Sequence, residues 1–158
     1  VQSFNSTTNP SVTLDVNTTY AIVVHSMLEG DGVVATAANL NGTDATLLVS
    51  TAFTGGQEAN ISVFEVKDPA NSGNLDITIG YNSFNHVIII YEFDSHQVFS
   101  NEQPFFYGNQ FPPFTSSYDF TGGLGKSALV VFTCGDGNIN TIDPIPSSNF
   151  TSNFNIDG

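Results

Sequence analysis

Three histidines are the residues of this chain best suited by type to catalysis or metal binding at neutral pH. His86 and His96 flank an apolar run, which in extended form would separate them by about 25 Å. His25 belongs to a different apolar run. The histidines therefore predict neither a metal site nor a Ser-His-Asp triad, and the Gly-x-Ser-x-Gly pattern of hydrolases is absent. We predict that the protein is not an enzyme and uses no cofactor.

Two other segments imitate ligand-binding loops but lack required positions. Residues 123–127 (GLGKS) match the end of a phosphate-binding loop, but position 120 is Phe where the pattern needs Gly, and a strand is predicted to follow. Residues 136–143 (DGNINTID) resemble the second half of a calcium loop. Its first two ligand positions would fall on Phe132 and Cys134, which supply no hard oxygen. We therefore reject the phosphate site and interpret residues 136–143 as a polar turn.

Asparagine side chains are the clearest candidates for covalent modification. Five of them stand in the Asn-x-Ser/Thr pattern that accepts N-linked glycans, whereas Asn9 is barred by Pro10. Chance alone would produce several such patterns in so polar a chain, but most of these lie in or beside predicted turns and tails. The predicted glycosylation sites are Asn5, Asn17, Asn41, Asn60 and Asn149, of which Asn60 is the doubtful one because it lies in a predicted strand.

Lys67 and Lys126 are the only basic side chains of the chain. Burial favours the neutral, nucleophilic form of an amine, so either lysine is a candidate for an isopeptide bond to an Asn or Asp beside a carboxylic acid. The alternative, which we favour, is that both are exposed and improve solubility. An intact mass without a deficit of ammonia or water would exclude the bond.

The charge balance excludes whole classes of partner. The 158 residues carry 15 acidic and two basic side chains, a formal net charge of −13. Two lysines cannot build a patch that binds nucleic-acid phosphates or an anionic membrane surface. Charged residues make up 11% of the chain, against about 25% in typical proteins, and 17 Asn, 16 Ser and 16 Thr take their place. This composition favours a surface protein that stays soluble in acid, where its carboxylates become protonated.

Other features favour an exported protein. The chain begins at Val1 rather than Met and has no apolar run of about 20 residues. We therefore expect a mature extracellular form that has lost its signal peptide and does not span a membrane. Cys134 is the one cysteine, so no internal disulfide forms, and its parity with neighbouring apolar residues predicts a buried thiol.

Short apolar runs separated by Gly, Asn and Pro turns predict an all-β chain, an antiparallel β-sandwich. Residues 33–40 fit either a strand or helical turns, and the aromatic region within 94–120 is expected to pack over an open end of the sheets. The run at 86–93 (HVIIIYEF) fits a strand buried on both faces. Strands are predicted at residues 11–16, 18–26, 44–53, 59–67, 75–79, 86–93, 97–99, 126–134 and about 150–156.

The N-terminal segment contains the cleanest alternation. Val12, Leu14 and Val16 share one face of an extended strand, and Ser11, Thr13 and Asp15 share the other. This apolar edge is either the first strand of its own domain or a strand that completes a neighbouring subunit. We divide the chain into an N-terminal extension, residues 1–17, and a β-sandwich head, residues 18–158.

The mature-looking start, the polar extension ending in an alternating strand, the β-branched runs, the glycosylation patterns and the scarcity of basic residues together resemble the thread pilins. These are secreted filament subunits of thermoacidophilic archaea. The resemblance implies a glycosylated head, an antiparallel Ig-like or pilin-like β-sandwich, whose missing strand is donated by the next subunit's N-terminal tail, as in bacterial chaperone–usher pilins. It implies Val12, Leu14 and Val16 as donor-strand residues and further copies of the chain as partners. Adhesion or biofilm formation, through an unknown surface or glycan receptor, would be the task.

Two alternatives remain open at this point. A viral capsid, spike or cell-envelope β-domain shares the charge-poor composition but keeps its N-terminal strand in its own fold. A carbohydrate-binding β-sandwich would use exposed aromatics around residues 105–114 as its platform, although the chain has no Trp.

Overall fold

Nine β-strands make up the part of the chain that the computed structural model describes, which comprises residues 1–5, 9–28, 34–52, 59–80 and 86–96. Within those ranges no helix is long and apolar enough to cross a membrane. The strands are β1 (Gln2–Asn5), β2 (Ser11–Thr13), β3 (Tyr20–Leu28), β4 (Ala35–Leu40), β5 (Thr43–Asp44), β6 (Thr46–Ala52), β7 (Ala59–Lys67), β8 (Ser72–Ile79) and β9 (His86–Phe93).

The strands form two antiparallel sheets. The five-stranded sheet has the order β1-β9-β3-β7-β6, and the four-stranded sheet has the order β2-β8-β4-β5. Every pairing is antiparallel. The predicted all-β, antiparallel sandwich class is therefore confirmed.

Two strands have the boundaries that the sequence predicts. The strand predicted at residues 59–67 is β7, and the run at 86–93 is β9. Asn41 and Gly42 both have positive φ, 53° and 87°, and make the two-residue turn between β4 and β5 that Asn-Gly favours. Residues 35–40 form a strand with a register shift between Ala35 and Ala37. That bulge produces the three-residue spacing of buried alanines that imitates a helix.

The main core lies between the two sheets, because inward-facing residues of both alternate with outward-facing ones. Ile88 and Ile90 of β9 contribute from the five-stranded sheet, and Leu40 and Leu75 contribute from the four-stranded one; all four are fully buried. The buried members are Val12, Leu14, Ala21, Val23, Ala35, Ala38, Leu40, Phe64, Val66, Leu75, Ile88 and Ile90.

The outward faces of the two sheets differ in chemistry. The outward face of the four-stranded sheet is polar and exposed, with Ser11, Thr13, Asn74, Asp76 and Thr78. The outward face of the five-stranded sheet, called here the outer apolar face, centres on three buried residues with partly buried neighbours. It comprises Tyr20, Ile22 and Val24 with Leu48, Ile61, Val63, Ile89, Tyr91 and Phe93. Ile89 and Tyr91 lie between the inward-facing residues of β9. This strand therefore has apolar residues on both faces, but it is buried as predicted only on the inward face and partly buried on the other.

Several predictions fall outside the described residues. These are the strands at 97–99, 126–134 and 150–156, the aromatic region at 105–114, the polar turn at 136–143, and the sites Lys126, Cys134 and Asn149.

Candidate functional site

The N-terminal segment forms an edge strand of both sheets. β1 lies antiparallel to β9, with Phe4 opposite Ile88, and β2 lies antiparallel to β8, with Val12 opposite Gly73. Gln2 Nε2 donates a 2.7 Å hydrogen bond to the carbonyl oxygen of Thr13, which joins the two stretches. Residues 1–17 therefore close one side of the sandwich.

The groove that holds β2 satisfies both the backbone and the side chains of the segment. Leu75 N–H donates to the Pro10 carbonyl at 2.9 Å, and Leu14 N–H donates to the Asn71 carbonyl at 2.7 Å, so the pairing with β8 extends beyond the strand itself. Val12 and Leu14 are only 1% and 3% exposed. Burying one such side chain contributes about 1.5–3 kcal/mol, so these two residues dominate the attachment.

Glycine is favoured opposite Val12 because another chain segment approaches closely. A Cβ at Gly73 would lie 3.0 Å from Asn41 Cα, which is closer than nearly all real Cβ contacts, so Asn41 would have to move by a few tenths of an ångström. Asn41 is held there by its N–H, which donates to the Asn74 carbonyl at 2.8 Å. Its Nδ2 donates to the Ala70 carbonyl at 2.7 Å. The β4–β5 turn thus fixes the β8 edge on which the N-terminal segment lies.

The prediction that Val16 shares one strand face with Val12 and Leu14 is wrong, because Val16 is 81% exposed. The strand ends at Thr13, and a turn follows. Asn17 N–H donates to Asp15 Oδ1 at 2.9 Å, and Thr18 N–H donates to the Asp15 carbonyl at 3.0 Å. Asp side chains that bond the backbone two residues on favour such turns. The turn leads the chain from the four-stranded sheet into β3 of the five-stranded sheet.

Glu92 joins both ends of the N-terminal segment to the head. Asp15 N–H donates to Glu92 Oε2 at 2.8 Å, and Thr18 Oγ1 donates to the same oxygen at 3.2 Å. Gln2 Nε2 donates to Glu92 Oε1 at 3.1 Å, and the amine of Val1 lies 3.7 Å from that oxygen. One carboxylate therefore holds the start of β1 and the turn after β2.

This environment lowers the pKa of Glu92. Burial is the largest influence and by itself raises the pKa, because it disfavours the charged form. The hydrogen bonds from Asp15, Gln2 and Thr18, together with the N-terminal amine, act in the opposite direction and outweigh it. The pKa of Glu92 therefore lies below its ordinary value, and the carboxylate keeps its charge further into acid than an ordinary Glu.

The candidate glycosylation sites have different surroundings. Asn17 lies exposed in the turn after β2. Asn41 is 9% exposed, and its Nδ2 donates to the Ala70 carbonyl. Asn60 is 1% exposed in β7. Asn5 belongs to β1, where its backbone pairs with Val87. Of Asn17, Asn41 and Asn60, Asn17 is the one whose side chain is exposed for modification.

The lysine and histidine candidates do not converge. Lys67 is 57% exposed and lies 3.1 Å from Glu65, which matches the solubilising alternative better than the buried amine of an isopeptide bond. His25 is buried in β3 at 1% exposure, whereas His96 is exposed, with Nε2 2.9 Å from Asp68 Oδ1. His86 pairs with Met27 across β9 and β3. No group of three or more His, Cys, Asp or Glu in the described ranges is placed to hold a metal ion.

Sequence reasoning missed Glu92 and Gly73. A signal for Glu92 does exist in the run HVIIIYEF, because Glu92 has the parity of the inward-facing Ile88 and Ile90. A charge at such a position has to be paired or hydrogen-bonded. Nothing in the sequence near Gly73 indicates that Asn41 approaches it, because that contact depends on the tertiary fold.

Comparison of the chain with protein-family models, with curated proteins and with solved structures gives no match. We therefore infer function from the N-terminal segment, the groove that holds it and the resemblance in sequence character.

Proposed function

We propose that this chain is the structural subunit of an extracellular, glycosylated filament, in which residues 1–17 of one copy complete the sandwich of the next. The supporting observation is that Val12 and Leu14 lie in the main core with only 1% and 3% of their surface exposed. The segment joins the head through the short turn after β2. Edge-strand pairing depends on the partner's backbone and pockets and does not require a covalent connection. The same groove can therefore accept the same strand from a neighbouring copy.

Exchange requires that the turn at residues 15–18 opens. β1 and β2 then leave their own head together, and their contacts with β9 and β8 re-form in the neighbour. Contacts broken and contacts made are then the same, so subunit concentration and the hydrogen bonds of the turn set the balance. The donating surface differs from the accepting one, and a head-to-tail contact of this kind continues into a filament when it does not close into a ring.

Adhesion or biofilm formation is the proposed task of the filament. The polar outward face of the four-stranded sheet and the exposed Asn17 lie next to the donated strand. Glycans at Asn17 would therefore cover the junction between neighbouring subunits.

A pair of engineered cysteines tests whether the strand is donated. Ser11 and Asn74 lie directly opposite each other on the exposed side of β2 and β8. Opposite residues of antiparallel strands lie within reach of a disulfide. The variant Ser11→Cys/Asn74→Cys, in a Cys134→Ser background, is assembled, oxidised and separated on a denaturing, non-reducing gel. Donation predicts a ladder of covalent oligomers from the assembled fraction.

The matched control is Ala37→Cys/Thr78→Cys, a pair opposite each other within the head on β4 and β8. Both residues are exposed, and their disulfide is intramolecular whichever way the N-terminal strand pairs. A monomer band alone from both variants would contradict donation. That result would favour a closed β-domain of the capsid or cell-envelope kind, which keeps its strand.

A further inference from the structure

We propose that the outer apolar face of the five-stranded sheet is covered by the C-terminal part of the same chain, residues 97–158, as a third layer. The occupant is intramolecular, so this layer is present whether or not the N-terminal strand is donated. Three features support this: the chemistry of the face, the direction in which the chain leaves β9, and the composition of residues 97–158.

The outer apolar face has the chemistry of a sheet interior. Ile22 is 0% exposed and Val24 is 2% exposed, although both point away from the core between the sheets. A two-layer sandwich needs one apolar face on each sheet, as the polar outward face of the four-stranded sheet illustrates. Contiguous apolar faces on soluble proteins mark surfaces that something else covers.

The polar atoms of this face are already satisfied within the sheet. Glu65 is the one carboxylate among the described strand residues of the face, and Tyr20 Oη donates to its Oε2 at 2.8 Å. Lys67 Nζ lies 3.1 Å from its Oε1. Because the carboxylate is both hydrogen-bonded and ion-paired, a covering layer would not leave it as an unpaired charge.

The described chain ends on the side of the outer apolar face. After β9 it crosses β3, so that the His96 ring lies 6.0 Å from the ring of Tyr20 and its Nε2 lies 2.9 Å from Asp68 Oδ1. Asp68 directly follows β7, on the far side of β3 from β9. Tyr20 belongs to the outer apolar face, so the described chain ends, at His96, on the side of that face.

Residues 97–158 have the composition of a covering layer. Their ionisable Asp, Glu and Lys side chains are few: Glu102, Asp119, Lys126, Asp136, Asp143 and Asp157. They include nine of the chain's 14 phenylalanines, at positions 99, 105, 106, 111, 114, 120, 132, 150 and 154. A tethered segment experiences an effective concentration in the millimolar range, which favours it over a second copy of the chain.

Photo-crosslinking in the full-length chain tests this proposal. Benzoyl-phenylalanine replaces Tyr91 in one variant and Leu48 in another, two positions on different strands of the outer apolar face. The control variant carries it in place of Thr78, which is exposed on the polar face of the other sheet. Irradiation of Tyr91 and Leu48 variants should give monomeric products cross-linked to peptides from 97–158, at several-fold higher yield than the control.

Two results would overturn the proposal: cross-links to a second copy, or a yield no higher than that of the Thr78 variant. Hydroxyl-radical footprinting of the unmodified protein is a second test, which does not depend on whether a variant folds. Tyr91 and Phe93 should be oxidised several-fold more slowly in the native chain than in the urea-unfolded chain, whereas the exposed Val16 should show little difference. Oxidation of the two aromatics at the unfolded rate would contradict coverage.

Discussion

Glu92 places an ionised carboxylate in line with Ile88 and Ile90, two residues that point into the main core. Its charge is tolerated because the N-terminal segment donates hydrogen bonds from Asp15 and Gln2, and Thr18 adds a third. Charge-assisted hydrogen bonds are about twice as strong as neutral ones. At the scale of single residues, the protonation state of Glu92 therefore contributes to the attachment of the N-terminal segment.

Replacing Glu92 with Gln should destabilise the fold at neutral pH by about 1–3 kcal/mol, because the amide has one acceptor oxygen where the carboxylate has two. The pH dependence should change as well. The pKa of Glu92 is lower in the folded chain than in the unfolded chain, so its stabilisation is present above the unfolded pKa, about 4.3, and is lost as the pH falls through the folded pKa.

Urea midpoints measured from about pH 7 to about pH 3 test this expectation. The wild-type midpoint should fall as the pH drops through the folded pKa of Glu92, and the midpoint of Glu92→Gln should change less with pH. Asp94→Asn, which removes an exposed carboxylate two residues away, should follow the wild type. Parallel curves for wild type and Glu92→Gln would show that Glu92 does not hold the segment.

At the scale of elements, β2 is a short edge strand whose attachment depends on few side chains. Its ladder with β8 covers Ser11, Val12 and Thr13, and two further hydrogen bonds, at Pro10 and Leu14, extend it. Hydrogen bonds of this kind add about 0.5–1.5 kcal/mol each after exchange with water. The buried apolar residues therefore decide whether the strand stays in a groove, in its own head or in a neighbour's.

Leu14→Ala should cost about 2–5 kcal/mol of stability and should reduce filament yield, because it removes buried methyl groups and leaves a cavity. The matched control is Val16→Ala in the same segment, which should change stability by less than about 0.5 kcal/mol because Val16 is exposed. Thermal unfolding and sedimentation of assembled material measure both effects. Equal losses in the two variants would show that burial of Leu14 does not hold the strand.

At the scale of the whole molecule, residues 1–17 close one side of a sandwich whose main core they complete. Removing them exposes the core contacts of Val12 and Leu14 and the unpaired edges of β8 and β9. Exposed edges of this kind pair with any suitable strand. The truncated chain should therefore bind an added strand in place of the one it lost.

A chain of residues 18–158 should form no fibres in negative-stain microscopy and should bind a labelled peptide of residues 1–17, measured by fluorescence anisotropy. The control peptide carries Val12→Asp and Leu14→Asp and should not bind, because two unpaired charges would enter the core. Fibres formed by the truncated chain would contradict donor-strand assembly, as would equal binding of the two peptides.

The sequence by itself determined the local preferences of this protein. Apolar runs bounded by turn residues predicted the boundaries of β7 and β9. Period-two alternation placed Val12 and Leu14 on one face, and Asn41-Gly42 predicted a tight turn, because these features depend on neighbours a few residues apart. Only the tertiary structure decided that β1 pairs with β9 while β2 pairs with β8, and that Val16 turns outward. The same holds for Gly73 and Glu92, whose roles come from contacts with Asn41 and with Gln2 and Asp15. Strand partners and the polar contacts between them are set by residues far apart in the chain, and alternation along one strand carries no information about them.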